Sequence, residues 1–195
     1  MADKIYCYPG TDILVNKLNI QDEKRLLEAE TKLVSIRLYQ LYEKPVRGKF
    51  DFEHLCRIHQ HIFQDLYNWA GHPRTVDIAK GNSLFCPAWN IQGYAGDIFP
   101  KFYNQCMEAK DNLEQFVRIF SAHYADLNAL HMFREGNGLS QRAFAMELCL
   151  QCGYVLDLTH TCREEMLQAS IVSLEKGDNT KLEAIFQKCI VPLHN

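Results

Sequence analysis

Residues 131–142, HMFREGNGLSQR, place a histidine, a carboxylate, two glycines flanking an asparagine and a terminal arginine within twelve positions. His131 closes an apolar, helix-patterned run, and Gly138 lies at the start of the next one. The turn between them therefore exposes the amides of Gly136, Asn137 and Gly138, where a helix N-terminus leaves donors without partners and its dipole favours an anion. Glycines on both sides of Asn137 permit positive φ and a close approach of ligand to backbone. Such a turn suits a phosphate group.

Glu135 would repel a bare phosphate, and Mg²⁺ resolves the conflict, because it is commonly held by one or two carboxylates together with phosphate oxygens. His131 supplies a proton acceptor active near neutral pH. Arg142 follows Gly138 by four residues, about one helical turn, and is expected to reach back over the same terminus. Phe133, apolar among polar neighbours, is expected to anchor the loop in the core. Each feature taken singly is more often structural: a histidine at a helix end is usually a satisfied residue, and GNG is usually a turn. Their fixed order in one turn is what favours chemistry.

The elements that must position these residues are helical. Leucines at helical spacing mark about 22–42, and Phe52, Leu55, Ile58, Ile62, Leu66 and Trp69 form a second stripe that Gly71 and Pro73 end. Further helices are expected at about 92–108 despite Gly93 and Gly96, at 113–130, and from inside the motif to Cys152, with Gly153 as the stop. Thr161 to Glu164 reads as a capping box opening a helix that ends near Gly177, and a last helix covers about 179–190. One segment, RTVDIAKGNSLFCP at 74–87, has β-branched residues around Gly81-Asn82 and predicts a hairpin. The expectation is a mainly α chain, one domain over 1–195, with a single small β-hairpin.

Composition narrows the function. The 195 residues carry a net charge of −3 and no basic run of five, so neither nucleic acid nor a membrane surface is an expected direct partner. MADKIYCYPG lacks the apolar core of a secretion signal, and the expected location is the cytoplasm. The eight scattered cysteines then read as reduced, buried small residues, the CxxC pair Cys149 and Cys152 included, with a redox or metal role as the minority alternative. His59 and His61 form HxH with His54 one heptad before the latter, but no carboxylate–histidine pattern completes a zinc site. These are expected to be surface or partly buried histidines rather than the ligands of a metal hydrolase.

HMFREGNGLSQR resembles the signature of Fic-domain proteins, H-x-F-x-[DE]-G-N-G-R-x-x-R. The resemblance extends to LYNWAGHPR, to RTVDIAKGNSLF, which is similar to the family's flap hairpin, and to the N-terminal YPGTDILVNKLNI. It implies a helical fold and transfer of AMP from ATP to a Ser, Thr or Tyr hydroxyl of a target protein. His131 would be the general base, and Glu135 would hold Mg²⁺. Gly136, Asn137 and Gly138 would line the anion hole, and Arg142 would bind the γ-phosphate. The flap would register the target by strand addition. Lys80 and Gly81 would touch the nucleotide, although a solvated turn is an equal reading of Lys80.

Two positions depart from the pattern: Met132 replaces the usual proline, and Leu139 the first arginine. Loss of that arginine removes a charge-assisted contact of roughly 1.5–3 kcal/mol. It leaves a weakened enzyme, or alternatively a degenerate domain that only binds. Gly138 favours AMP over transfer of phosphate, UMP or phosphocholine, since the kinase-like branch of the family lacks this second glycine. An inhibitory [ST]-x-x-x-E-[GN] sequence is absent from the chain. The resemblance therefore implies a toxin silenced by a separate small antitoxin whose glutamate competes for Arg142, with type II topoisomerase subunits such as those of DNA gyrase or topoisomerase IV as the family's precedent for targets.

Overall fold

Helix α2 (Phe52–Phe63) starts where the Asp51 carboxylate accepts the amide of His54 at 2.8 Å. The apolar stripe continues beyond it, yet the helix ends near Phe63 rather than at Gly71. Lys17 explains the early stop. Its amide donates to the Leu66 carbonyl at 2.8 Å and its ammonium to the Gln64 carbonyl at 2.6 Å, two acceptors that a longer α2 would need for its own amides. Leu66 and Tyr67 are buried regardless, outside any helix.

The computed structural model describes residues 5–80 and 83–193. Helix α1 (Glu23–Glu43), capped by Asp22, lies on α2, and Arg37 holds Asp65 through paired bonds of 2.7 and 2.8 Å. Strands β1 (Ala79–Lys80) and β2 (Ser83–Leu84) pair antiparallel in the expected hairpin. Gly81 and Asn82 lie outside the described residues. Helix α3 (Ile91–Glu108) runs through Gly93, Gly96 and Pro100, followed by α4 (Leu113–Leu130) and α5 (Asn137–Gln151). α6 (Arg163–Lys176) and α7 (Thr180–Cys189) complete a mainly α fold.

The hydrophobic core runs from Val34 on α1 to Ile190 after α7. Its centre is a set of interlocked rings, with Phe120 lying 5.7 Å from Phe102, 5.7 Å from Phe116 and 5.0 Å from Phe186. Cys149 and Cys152 pack there as thiols: burial pushes Cys149 well above the usual range and Cys152 up to about 11, and Cys152 meets the Met107 sulfur at 3.7 Å.

Three expectations need correction. A second antiparallel pair exists: β3 (Tyr154–Leu156) lies against β4 (Ile190–Pro192), with Val155 opposite Val191. The capping box does not form; Cys162 is the N-cap of α6, while the Thr161 hydroxyl donates to the Glu165 carboxylate at 3.0 Å. Finally, His54 and His59 are fully buried rather than superficial. His54 donates to the Val46 carbonyl at 2.6 Å and accepts the Phe50 amide at 3.3 Å, so both ring nitrogens are structural.

Candidate active site

The site grows from the end of α4. His131 caps that helix in the left-handed conformation (φ 40°, ψ 56°), which turns the chain sharply into the loop. Its Nδ1 lies 3.2 Å from the Asn128 carbonyl. A carbonyl only accepts, so Nδ1 carries the proton and Nε2 is the basic nitrogen of the neutral ring. Phe85, from the outgoing arm of the hairpin, stacks on the imidazole with centroids 3.7 Å apart and planes at 17°.

The loop itself is clamped from inside. Phe133 is buried as expected and stacks on His59 at 3.7 Å. The Asn137 side chain accepts the Phe133 amide at 2.9 Å and donates to the Phe133 carbonyl at 2.7 Å, closing the loop upon itself. Gly136 adopts φ 78°, and a Cβ there would fall 2.2 Å from the Phe63 ring. Only glycine fits that position.

His59 holds the loop from below. Its Nδ1 accepts the Gly71 amide at 2.8 Å, so the proton lies on Nε2, which donates to the Glu135 carbonyl at 3.0 Å. Protonation would aim a second N–H at the Gly71 donor. Burial, set against the Glu135 hydrogen bond, pushes the imidazole down to about 4. The unfolded chain takes up this proton near pH 6.5, the folded one only near pH 4. Stability is therefore full above pH 6.5 and falls by about 1.4 kcal/mol per unit between those values, roughly 3 kcal/mol in all. Denaturant titrations at pH 7 and pH 4.5 should show wild type losing more than His59→Asn; equal losses would contradict this.

The anion-binding terminus is arranged differently from expectation in one respect. The Gly136 amide does not face the ligand side: it donates to the Glu135 carboxylate at 3.0 Å. The first turn of α5 instead presents the amides of Asn137, Gly138 and Leu139, which have no protein acceptor among the described residues. Arg142 folds back over this turn as expected, its guanidinium so close to Gly138 that an added Cβ would meet Nη1 at 3.1 Å. No carboxylate pairs with Arg142 among the described residues.

These groups share one cavity of about 650 Å³, lined by His131, Glu135, the α5 terminus and Arg142. Leu139 lines it too, leaving an apolar surface at the position of the absent arginine. Lys80 ends β1, its backbone paired with Ser83, and Gly81 lies outside the described residues. No cluster of three protein ligands exists among the described residues, so a divalent cation at Glu135 would need further ligands from outside the protein. That fits Mg²⁺ completed by phosphate oxygens and water.

The opposite wall went unrecognised in the sequence. Met166, Leu167, Ser170, Ile171 and Leu174 of α6 face the motif across the cavity, with Leu158 beside them. Their i, i+1, i+4, i+5, i+8 spacing was the available signal. An apolar wall opposite an anion-binding terminus suits a ligand with a flat, weakly polar part and a phosphate part.

Fold and site together define a member of the Fic/DOC family: the family's sequence model matches residues 49–149, and the chain belongs to it. It is 36% identical over 197 residues to the Fic protein of Salmonella typhimurium, named a probable protein adenylyltransferase, covering 97% of this chain and 96% of that one. It is also 36% identical over 183 residues to the protein adenylyltransferase VbhT of Bartonella schoenbuchensis, covering 94% of this chain but only 38% of VbhT. Among solved structures, the BepC protein of Bartonella tribocorum, with bound AMPPNP, superposes with a TM-score of 0.89 over 96% of both chains at 22% identity. None of the helices among the described residues is long and apolar enough to cross a membrane.

Proposed function

We propose that this chain is a protein adenylyltransferase that moves AMP from ATP to a hydroxyl side chain of another protein. The observation that carries this reading is the meeting of the His131 imidazole, the α5 N-terminal amides and the Arg142 guanidinium on one cavity. The names of the Salmonella and Bartonella relatives support it, as does a fold that carries an ATP analogue in BepC.

His131 Nε2 removes the proton of the target hydroxyl. The oxygen attacks the α-phosphorus, a new P–O bond forms, and the bond to the bridging oxygen breaks to release pyrophosphate. The amides of Asn137, Gly138 and Leu139 stabilise the charge on the phosphate oxygens, and Arg142 orients the chain of phosphates for in-line attack. Mg²⁺ held at Glu135 would neutralise phosphate charge when bound. The paired strands β1 and β2 offer an edge along which an extended target segment adds as a further strand. The apolar α6 wall receives the adenine.

Incubation with α-labelled ATP should label a protein target, whereas γ-labelled ATP should not. Type II topoisomerase subunits are the first targets to assay. Leu139→Arg restores a phosphate contact and should raise transfer roughly ten- to a hundredfold, the equivalent of about 1.5–3 kcal/mol. No label in either variant would favour a binding module instead, and an indifferent response to the arginine would mean that its absence is not limiting.

Arg142, without an acidic partner among the described residues, also suits control by a second protein whose glutamate occupies the γ-phosphate position. Such an inhibitor should co-purify with the chain and should lose its grip on Arg142→Ala. An equally tight complex with that variant would place its contacts elsewhere.

A further inference from the structure

We propose that Arg74, which touches neither nucleotide cavity nor target edge, is a positioning residue that locks the catalytic histidine to the root of the hairpin. The proposal rests on the adenylyltransferase reading for its kinetic consequence, although its structural part can be tested without it.

Arg74 is 2% exposed, the largest of the fully buried side chains, and no carboxylate accepts from it among the described residues. A buried guanidinium with no carboxylate in direct contact, and only the more distant charge of Asp77 nearby, persists where its hydrogen bonds compensate for lost water. Here they go to three backbone carbonyls in three parts of the chain. Nε donates to His131 at 2.9 Å, Nη1 to Val76 at 2.8 Å, and Nη2 to Cys86. The Arg74 amide adds a bond to the Met132 carbonyl at 2.9 Å.

The choice of carbonyls matters. Val76 precedes β1 and Cys86 follows β2, so one planar fork gathers both arms of the hairpin and joins them to the residue that closes α4. His131 is one of three non-glycine residues with positive φ among the described residues, a conformation that neighbours must enforce. Cys86 is held a second time by its amide, which donates to the Ala129 carbonyl at 2.9 Å, and Asp77 braces the outgoing arm by accepting the Ala88 amide at 2.7 Å. The residue just before Cys86 is Phe85, whose ring lies on the imidazole. Arg74 therefore fixes His131 twice, through its own carbonyl and through the ring that the Cys86 anchor sets against it.

A lysine cannot reproduce this. Its single ammonium lacks the rigid fork needed to reach three carbonyls in one plane. Arg74→Lys should thus lower kcat about ten- to a hundredfold per folded molecule, with KM for ATP changed by less than about twofold, since a small misplacement of a catalytic group carries that order of loss. The second readout is ¹⁵N NMR of the His131 ring. Wild type should show the Nδ1–H tautomer, and Arg74→Lys a mixture of tautomers.

A purely structural arginine would lower the melting temperature and leave both readouts unchanged, and that result overturns the proposal. If wild type transfers no AMP, the adenylyltransferase reading fails, while the tautomer comparison still decides the role of Arg74. If Arg74→Lys does not fold, Phe85→Ala takes its place: it removes the stacked ring but keeps the fork. An unchanged tautomer and unchanged turnover there would overturn the coupling of hairpin root to imidazole, and a shift in either would support it.

Discussion

Replacing His131 with alanine is expected to lower AMP transfer by about 10²–10⁴-fold while leaving ATP affinity within about twofold of wild type. The asymmetry follows from where the imidazole sits. Its Nδ1 is committed to the Asn128 carbonyl and its ring face to Phe85, so Nε2 is the basic nitrogen of a residue that lines the cavity. In the proposed reaction the phosphates are held elsewhere, by the α5 amides and Arg142, and those remain in the variant. Equilibrium titration with ATP and transfer of α-label under single-turnover conditions separate the two effects. Retention of more than about a tenth of the wild-type rate would mean that another group takes the proton.

The largest expected effect on stability is that of Gly136→Ala. The residue has φ 78°, which costs an alanine roughly 1–2 kcal/mol. Its Cβ would also fall 2.2 Å from the buried Phe63 ring, and overpacking of this kind costs about 1–3 kcal/mol. The combined loss of about 2–5 kcal/mol corresponds to a fall in melting temperature of roughly 5–15 °C for a chain of this size. Glu135 and the α5 terminus shift with the backbone, so transfer should fall as well. A change below about 2 °C would show that the loop relaxes freely, contrary to its clamping by Asn137 and His59.

The meeting of the motif residues on one cavity was legible because its geometry is local. His131, Glu135, the glycines and Arg142 follow one another through one turn and the first coil of one helix, where spacing alone fixes the relative placement. What spacing does not fix is which amide points where: Gly136 donates to Glu135, and the Leu139 amide joins the open donors instead. The cavity wall opposite the motif is carried by α6, which packs on α4 and α7, so its placement depends on tertiary contacts that spacing within the motif does not record.

The histidines were misjudged for the same reason. His59 is buried because partners at Gly71 and Glu135 satisfy both ring nitrogens, and nothing in HxH announces distant carbonyls and amides. The early end of α2 likewise depends on Lys17, far away in the chain. The strand pair β3–β4 escaped notice because three-residue strands separated by α6 and α7 carry almost no periodic signal.

That strand pair has a wider meaning. Leu156 stands opposite Ile190, so the excursion of chain between them leaves and rejoins the body at neighbouring points, with α7 seated on α4 in between. Under the proposed function, substitutions at the cavity-facing positions of α6, such as Leu167 and Ile171, would retune which nucleobase is admitted while leaving the 131–142 motif as it is. Selectivity and reactivity can in this way diverge independently within one scaffold.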